Sequence, residues 1–203
     1  MFFNNTPPAV KNLIVINTLV FMAQMILPIG LGDMITNYGA LYFWENPAYH
    51  TYQYITSLFL HDSIAHLFFN MFMLWMFGRI LEYEIGSKRF ILYYLISGVG
   101  ASVFFMCANW IVYNPMVAVI GASGAIYGIL MAFAVMHPNE RIALMFFPVP
   151  VKAKYFVLGM IGLEFLLGVL QTGSPVAHLA HVGGMLFGYA LLRYWKFKRK
   201  IYY

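Results

Sequence analysis

Charged side chains are scarce in this sequence: 12 Lys and Arg with 7 Asp and Glu make up 9% of its 203 residues, whereas a soluble domain carries roughly a quarter. So few charges cannot cover a water-facing surface. With 62% hydrophobic residues and a mean hydropathy of +0.74, the composition excludes an ordinary soluble enzyme. Cysteine is rarer still. Cys107 stands alone in an apolar run, which excludes an intramolecular disulfide and a cysteine-based metal centre. No polar, Gly/Ser-rich or charge-rich linker interrupts the apolar segments, so a single membrane domain over 1–203 is expected. The start of the chain carries no basic leader and no small-residue cleavage site, so the run from Leu13 to Leu27 reads as a retained span. The absence of an internal repeat weighs against a small transporter.

What is present is a series of long apolar runs. About 20 residues at 1.5 Å each cross roughly 30 Å of hydrocarbon. Six segments fit, approximately 9–28, 63–84, 89–112, 122–137, 153–171 and 176–195. The fourth is short, because the Pro138-Asn139 turn leaves it about 15 residues, or about 22 Å. Val117 to Gly121 is then an entering loop, and non-helical backbone at membrane depth must line a cavity or be buried in protein.

The net charge of +5 does not point to nucleic acid, since the cations lie between apolar runs and at the C-terminus. With six spans, all 12 Lys and Arg fall on the side of both termini, which places those termini in the cytoplasm. Between the first two spans lies Gly30 to Asp62, rich in aromatics including Tyr38, Tyr42, Phe43, Trp44, Tyr49, Tyr52, Tyr54 and Phe59. Amphipathic rings favour the headgroup level, so this loop is expected in the outer interface.

Spans two, four and six then run from outside to inside, and each opens with polar residues. Gly121-Ala122-Ser123-Gly124 begins the fourth, His66-Leu67-Phe68-Phe69-Asn70 lies in the second, and Ala180-His181-Val182-Gly183-Gly184 in the sixth. Ser123 alone would read as a helix N-cap or a close-packing residue. A serine becomes a nucleophile only beside a base, and His61, His66, His178 and His181 are the candidates. His181 shares a helix face with Gly184 and Gly188 at i+3 and i+7. Ser123, Gly124 and Gly128 offer a matching small surface, and such stripes let two helices approach backbone to backbone. That approach favours His181 as the base, with His178 a hydrogen-bonder between helices. His66 and Asn70 are i and i+4 on one face and suit either interhelical hydrogen bonding or oxyanion stabilisation. Asp62 and Ser63 read as the cap of that span. Glu164, in the fifth span, is an ionisable group at membrane depth and so a functional candidate.

In order and spacing over about residues 10 to 195, these motifs resemble the rhomboid intramembrane serine proteases. The resemblance implies a six-helix all-α membrane bundle with cytoplasmic termini. It implies Ser123 as nucleophile and His181 as general base. His66, Asn70 and the Ser123 amide become oxyanion donors, Gly121 shapes the loop, and Tyr127 stacks on the catalytic imidazole. Glu82 corresponds to a structural acid, although a plain interfacial charge beside Arg79 reads equally well, and His61 matches a histidine that holds the first loop. Where many members carry Trp-Arg in that loop, this sequence has Tyr52-Gln53. Glu164 has no catalytic counterpart and is placed with gating or stability. The implied activity is endopeptidase cleavage of transmembrane segments near the outer face, without metal or cofactor. Implied partners are transmembrane protein substrates and membrane lipid, and the compact form suggests a bacterial cytoplasmic membrane. The rival reading is a catalytically inactive relative that binds membrane clients.

Overall fold

The computed structural model describes residues 5–27, 30–112, 114, 116–144, 147–170 and 175–195. Most of them are helical. The helix α1 (Pro8–Ile26) starts with proline, whose missing N–H costs nothing at that position. None of its own side chains caps it. Glu82, from the far end of the next long helix, does so instead. Glu82 Oε1 accepts the Ala9 N–H at 2.8 Å and Oε2 the Val10 N–H at 2.7 Å, while the Ser87 hydroxyl donates to Oε1 at 2.7 Å. A carboxylate at the positive end of a helix dipole, with its oxygens hydrogen-bonded, accounts for its burial. The structural-acid reading therefore holds, and the reading as a charge beside Arg79 is corrected, since the Arg79 guanidinium lies over the Trp75 ring at 4.3 Å.

The first loop is more ordered than its sequence suggested. It holds α2 (Leu31–Gly39), the short strand β1 (Leu41–Tyr42), α3 (Gln53–Thr56) and a tight turn at Ser57–Phe59. Leu31, Met34 and Tyr38 recur at i, i+3 and i+7 and are exposed, an apolar stripe along one side of α2. Gln53 holds the loop together. It is wholly buried, its Oε1 accepts the Tyr42 and His50 amides at 3.4 and 3.1 Å, and its Nε2 donates to the Tyr38 and Ala48 carbonyls at 3.1 and 2.8 Å. A neutral amide, both donor and acceptor, thus anchors the loop. Tyr52 stays exposed and stacks on His50.

The second apolar helix, Ile64–Ile85, comprises α4 (Ile64–Met73), a wider π turn (Leu74–Gly78) and α5 (Arg79–Ile85). It is followed by α6 (Ser87–Val112), α7 (Ser123–Met136), α8 (Ala153–Val169) and α9 (Pro175–Tyr194). By length and hydropathy, Pro8–Ile26, Ile64–Ile85 and Ser87–Ile111 can cross a membrane, and Ser123–Met136 is a shorter apolar helix. Core residues of α7 such as Ile129 and Ala132 are fully enclosed. The Tyr93 hydroxyl of α6 ties it in by donating to the Gly128 carbonyl at 2.8 Å. By contrast α8 is peripheral and presents Leu158, Phe165, Leu166 and Val169 outward.

Two small antiparallel ladders qualify the all-α expectation. The strand β1 pairs with β2 (Ala118–Val119) in the entering loop, Leu41 opposite Val119, which fastens the first loop to the segment leading into α7. The strands β3 (Arg141–Leu144) and β4 (Phe147–Lys152) form a hairpin between α7 and α8. The expected span ends at Pro28 and Gln171, and the cluster Lys196, Lys198, Arg199 and Lys200, lie outside the described residues.

Candidate active site

The site begins at a backbone constraint. Gly121 has φ +120°, a left-handed conformation that side chains disfavour, and its N–H donates to the Ser57 carbonyl at 2.8 Å. A Cβ there would lie 2.8 Å from His66 Nε2 and 3.7 Å from Ser123 Oγ. This glycine therefore keeps open the point where the first loop, α4 and α7 converge. The N-cap of α7 is Ala122, not Ser123. That corrects the capping reading: Ser123 is the first helical residue, and its hydroxyl is directed elsewhere. Its amide belongs to the opening turn, whose N–H groups have no intrahelical acceptor.

Ser123 Oγ lies 2.8 Å from His181 Nε2, across 58 residues of sequence. The small-residue stripes produce this contact. A Cβ on Gly184 would sit 2.0 Å from the Gly124 carbonyl oxygen, and one on Gly188 3.1 Å from Gly128 Cα, so α7 and α9 touch through their backbones. The Tyr127 ring stacks on His181, with centroids 4.4 Å apart and planes at 8°. Glu164, 5% exposed, reaches the same cluster from α8. Its Oε1 accepts the Tyr127 hydroxyl, and its Oε2 lies 2.7 Å from His178 Nδ1 and 3.1 Å from His181 Nδ1. His178 is thus a hydrogen-bonder between α8 and α9, as its spacing suggested.

On the opposite side, Asn70 is buried and its Nδ2 has no hydrogen-bond partner. A buried amide donor left unpaired is costly unless something else fills the place. Ser63 caps α4, its Oγ accepting the His66 amide at 3.2 Å and its hydroxyl donating to Asp62 Oδ1 at 2.9 Å. His66 Nδ1 lies 3.0 Å from Asp62 Oδ1. Partial burial pushes the Asp62 carboxyl upward, but hydrogen bonds from Ser63 and His66 outweigh it and hold the group below its ordinary value. With Nδ1–H given to Asp62, His66 Nε2 donates only when it too carries a proton. His61 packs edge-on to His66 with centroids 5.0 Å apart. Burial, with the neighbouring His66, pushes its pKa down to about 4, so this ring stays neutral. Its backbone pairs with Gln24 through His61 N–H to Oε1 and Nε2–H to the His61 carbonyl, both at 3.2 Å, which holds the loop against α1.

His66, Asn70, Ser123 and Tyr127 line one cavity of about 320 Å³, together with Phe156 and Met160 of α8. The arrangement thus brings Ser123, His181, His66, Asn70, Gly121 and Tyr127 together, with Glu164 beside His181 and Asp62 beside His66, whereas Glu82 sits apart at the start of α1. Glu164 was visible only as an anomaly of depth. Among the described residues, Glu164, His178 and His181 are the group that could hold a metal ion. The 2.7 Å between His178 Nδ1 and Glu164 Oε2 is hydrogen-bond spacing, shorter than the roughly 3.3 Å that separates two ligands on a tetrahedral zinc with bonds of about 2.0 Å.

A sequence profile described as the rhomboid domain matches residues 48–196. Rhomboid protein 1, mitochondrial, of Saccharomyces cerevisiae is 33% identical over 138 residues, 66% of this chain and 39% of that protein. Rhomboid-like protein 11, chloroplastic, of Arabidopsis thaliana is 31% identical over 170 residues, 75% of this chain and 55% of that protein. Rhomboid protease GluP of Bacillus subtilis is 34% identical over 135 residues, 66% of this chain and 24% of that protein. The chain therefore spans about half or less of the length of these relatives. With a domain match over most of its length and apolar helices that can cross a bilayer, this integral membrane protein belongs to the rhomboid family, whose general activity is intramembrane serine proteolysis.

Proposed function

We propose that this chain is an intramembrane serine endopeptidase that cleaves transmembrane segments of other membrane proteins near the outer face of the bilayer. The observation that carries this reading is the 2.8 Å contact between Ser123 Oγ and His181 Nε2 at the wall of a cavity into which an unpartnered Asn70 amide also faces. Ser123 gives its proton to His181 Nε2 as Oγ attacks the scissile carbonyl. The oxyanion accepts hydrogen bonds from Asn70 Nδ2, His66 Nε2 and the Ser123 amide, where one lost donor typically costs about 2.7–4 kcal/mol. The imidazolium then protonates the leaving amine, and water resolves the acyl-enzyme by the same route reversed. No metal or cofactor has a step in this scheme.

The chain acts in this reading as one membrane domain of six crossings with both termini cytoplasmic, in contact with lipid and transmembrane substrates. The distribution of cations supports it. A reporter fused after Tyr203 should behave as retained in the cytoplasm, and an exported signal would overturn the topology. The relatives' names divide between mitochondria, chloroplasts and a bacterium, so they do not support the bacterial cytoplasmic membrane over an organellar one.

The chemistry is tested by a fluorophosphonate probe on purified protein in lipid. Wild type should be labelled, and Ser123→Ala and His181→Ala should not. Well-folded wild type that neither labels nor cleaves a model transmembrane substrate would favour a client-binding relative instead.

A further inference from the structure

The general base must carry a specific tautomer. To accept the Ser123 proton, His181 Nε2 needs a free lone pair, so the ring proton must sit on Nδ1. That nitrogen is buried and has no hydrogen-bond partner, and the stacked face of Tyr127 cannot tell one tautomer from the other. A buried N–H with nothing to accept it costs on the order of 1–3 kcal/mol, which would drive the proton to Nε2 and disarm the base. The acceptor within reach is Glu164 Oε2 at 3.1 Å. The contact falls short of an aligned hydrogen bond, but catalytic hydrogen bonds are often loose at rest and tighten when substrate is bound.

We propose that Glu164 is the positioning residue of His181, so that this chain works through a Ser123-His181-Glu164 triad rather than a dyad. The inference rests on the serine-protease reading above.

Three features support it. The carboxylate is pinned from two other helices, Oε1 by the Tyr127 hydroxyl of α7 and Oε2 by His178 Nδ1 of α9 at 2.7 Å. An ionisable group inside a span is expensive and persists where its partners justify it, and here those partners are the catalytic imidazole and the residues touching it. Met160 and Phe156, which line the cavity, precede Glu164 by one and two helical turns and share its face of α8. During attack the Ser123 proton moves to His181 Nε2, the Nδ1 proton stays, and the ring becomes a cation. Glu164 is the carboxylate beside that cation, facing it together with His178 and the Tyr127 hydroxyl.

The test uses the full chain in lipid nanodiscs. Glu164→Gln should lower kcat on a model transmembrane substrate by about 100-fold, less than the loss on replacing the orienting acid of a fully aligned triad, with KM within about twofold and the thermal midpoint retained. Glu164→Asp should recover about tenfold of that loss. In wild type, nitrogen NMR of labelled histidine should show His181 with its proton on Nδ1, and Glu164→Gln should mix the tautomers. The proposal fails if Glu164→Gln keeps kcat within about twofold of wild type, or if wild-type His181 carries its proton on Nε2. The second readout decides even if the variant does not fold. Wild type that is not labelled at Ser123 removes the protease reading itself. Active wild type with an indifferent Glu164→Gln removes only the triad.

Discussion

Replacing His181 with alanine should reduce cleavage of a transmembrane substrate by about 10⁴-fold or more, since serine and histidine act as a unit and the loss of one approaches the loss of both. Replacing His178 should cost about tenfold at most. The two rings lie one turn apart on α9, with centroids 6.3 Å apart, and both reach Glu164 Oε2. Only His181 touches Ser123. His178→Ala removes one hydrogen bond from a carboxylate that keeps the Tyr127 hydroxyl. A loss of about 1.4 kcal/mol is the order of one hydrogen bond to a charged group and corresponds to tenfold in rate. Initial rates for both variants, on protein shown to be folded, provide the check. Activity that survives His181→Ala and vanishes in His178→Ala would make His178 the base and would require a different rotation of α9.

The pairing of Ser123 with His181 was legible because two kinds of pattern agree. The six-span topology expected from the cations gives each span a direction and each polar residue a depth, while glycines at i+3 and i+7 from His181 fix the face that can approach α7. Asn70 and His66 followed from their shared face. The partner of Glu164 was not legible. Its depth marked it as unusual, but the rotation of α8 about its axis decides whether it faces His181, and an exposed helix with apolar residues on most sides carries no stripe to fix that rotation. The first loop was half legible. Its aromatic content raised the expectation of an interfacial loop, and Leu31, Met34 and Tyr38 carried a helical period that the aromatic richness obscured. Gln53 could not be read as an anchor, because its four backbone partners belong to a loop path that no periodicity specifies. The β3–β4 hairpin escaped for a similar reason: its alternation is short and interrupted by Pro148 and Pro150.

Gly184→Ala should abolish most activity without dismantling the bundle. The added methyl would sit 2.0 Å from the Gly124 carbonyl oxygen and 2.9 Å from its carbonyl carbon, and both are backbone atoms that cannot rotate away. Ordinary contact begins near 3.4 Å, so α7 and α9 must separate by more than about 1 Å. Gly124 follows Ser123 directly, and Gly184 lies one turn beyond His181, so the separation is imposed at the 2.8 Å contact. Misplacing reacting groups by about 1 Å costs on the order of 100-fold in rate, whereas overpacking by one methyl typically costs about 1–3 kcal/mol of stability. The variant should therefore lose at least about 100-fold in cleavage while still purifying as a folded protein with a lowered thermal midpoint. Gly162→Ala on α8 is the control, since nothing lies within 4 Å of its added methyl. It should leave cleavage unchanged and, by restoring helix propensity, should not lower stability. Cleavage by Gly184→Ala at the wild-type rate would mean that backbone contact between α7 and α9 is not what holds serine to histidine.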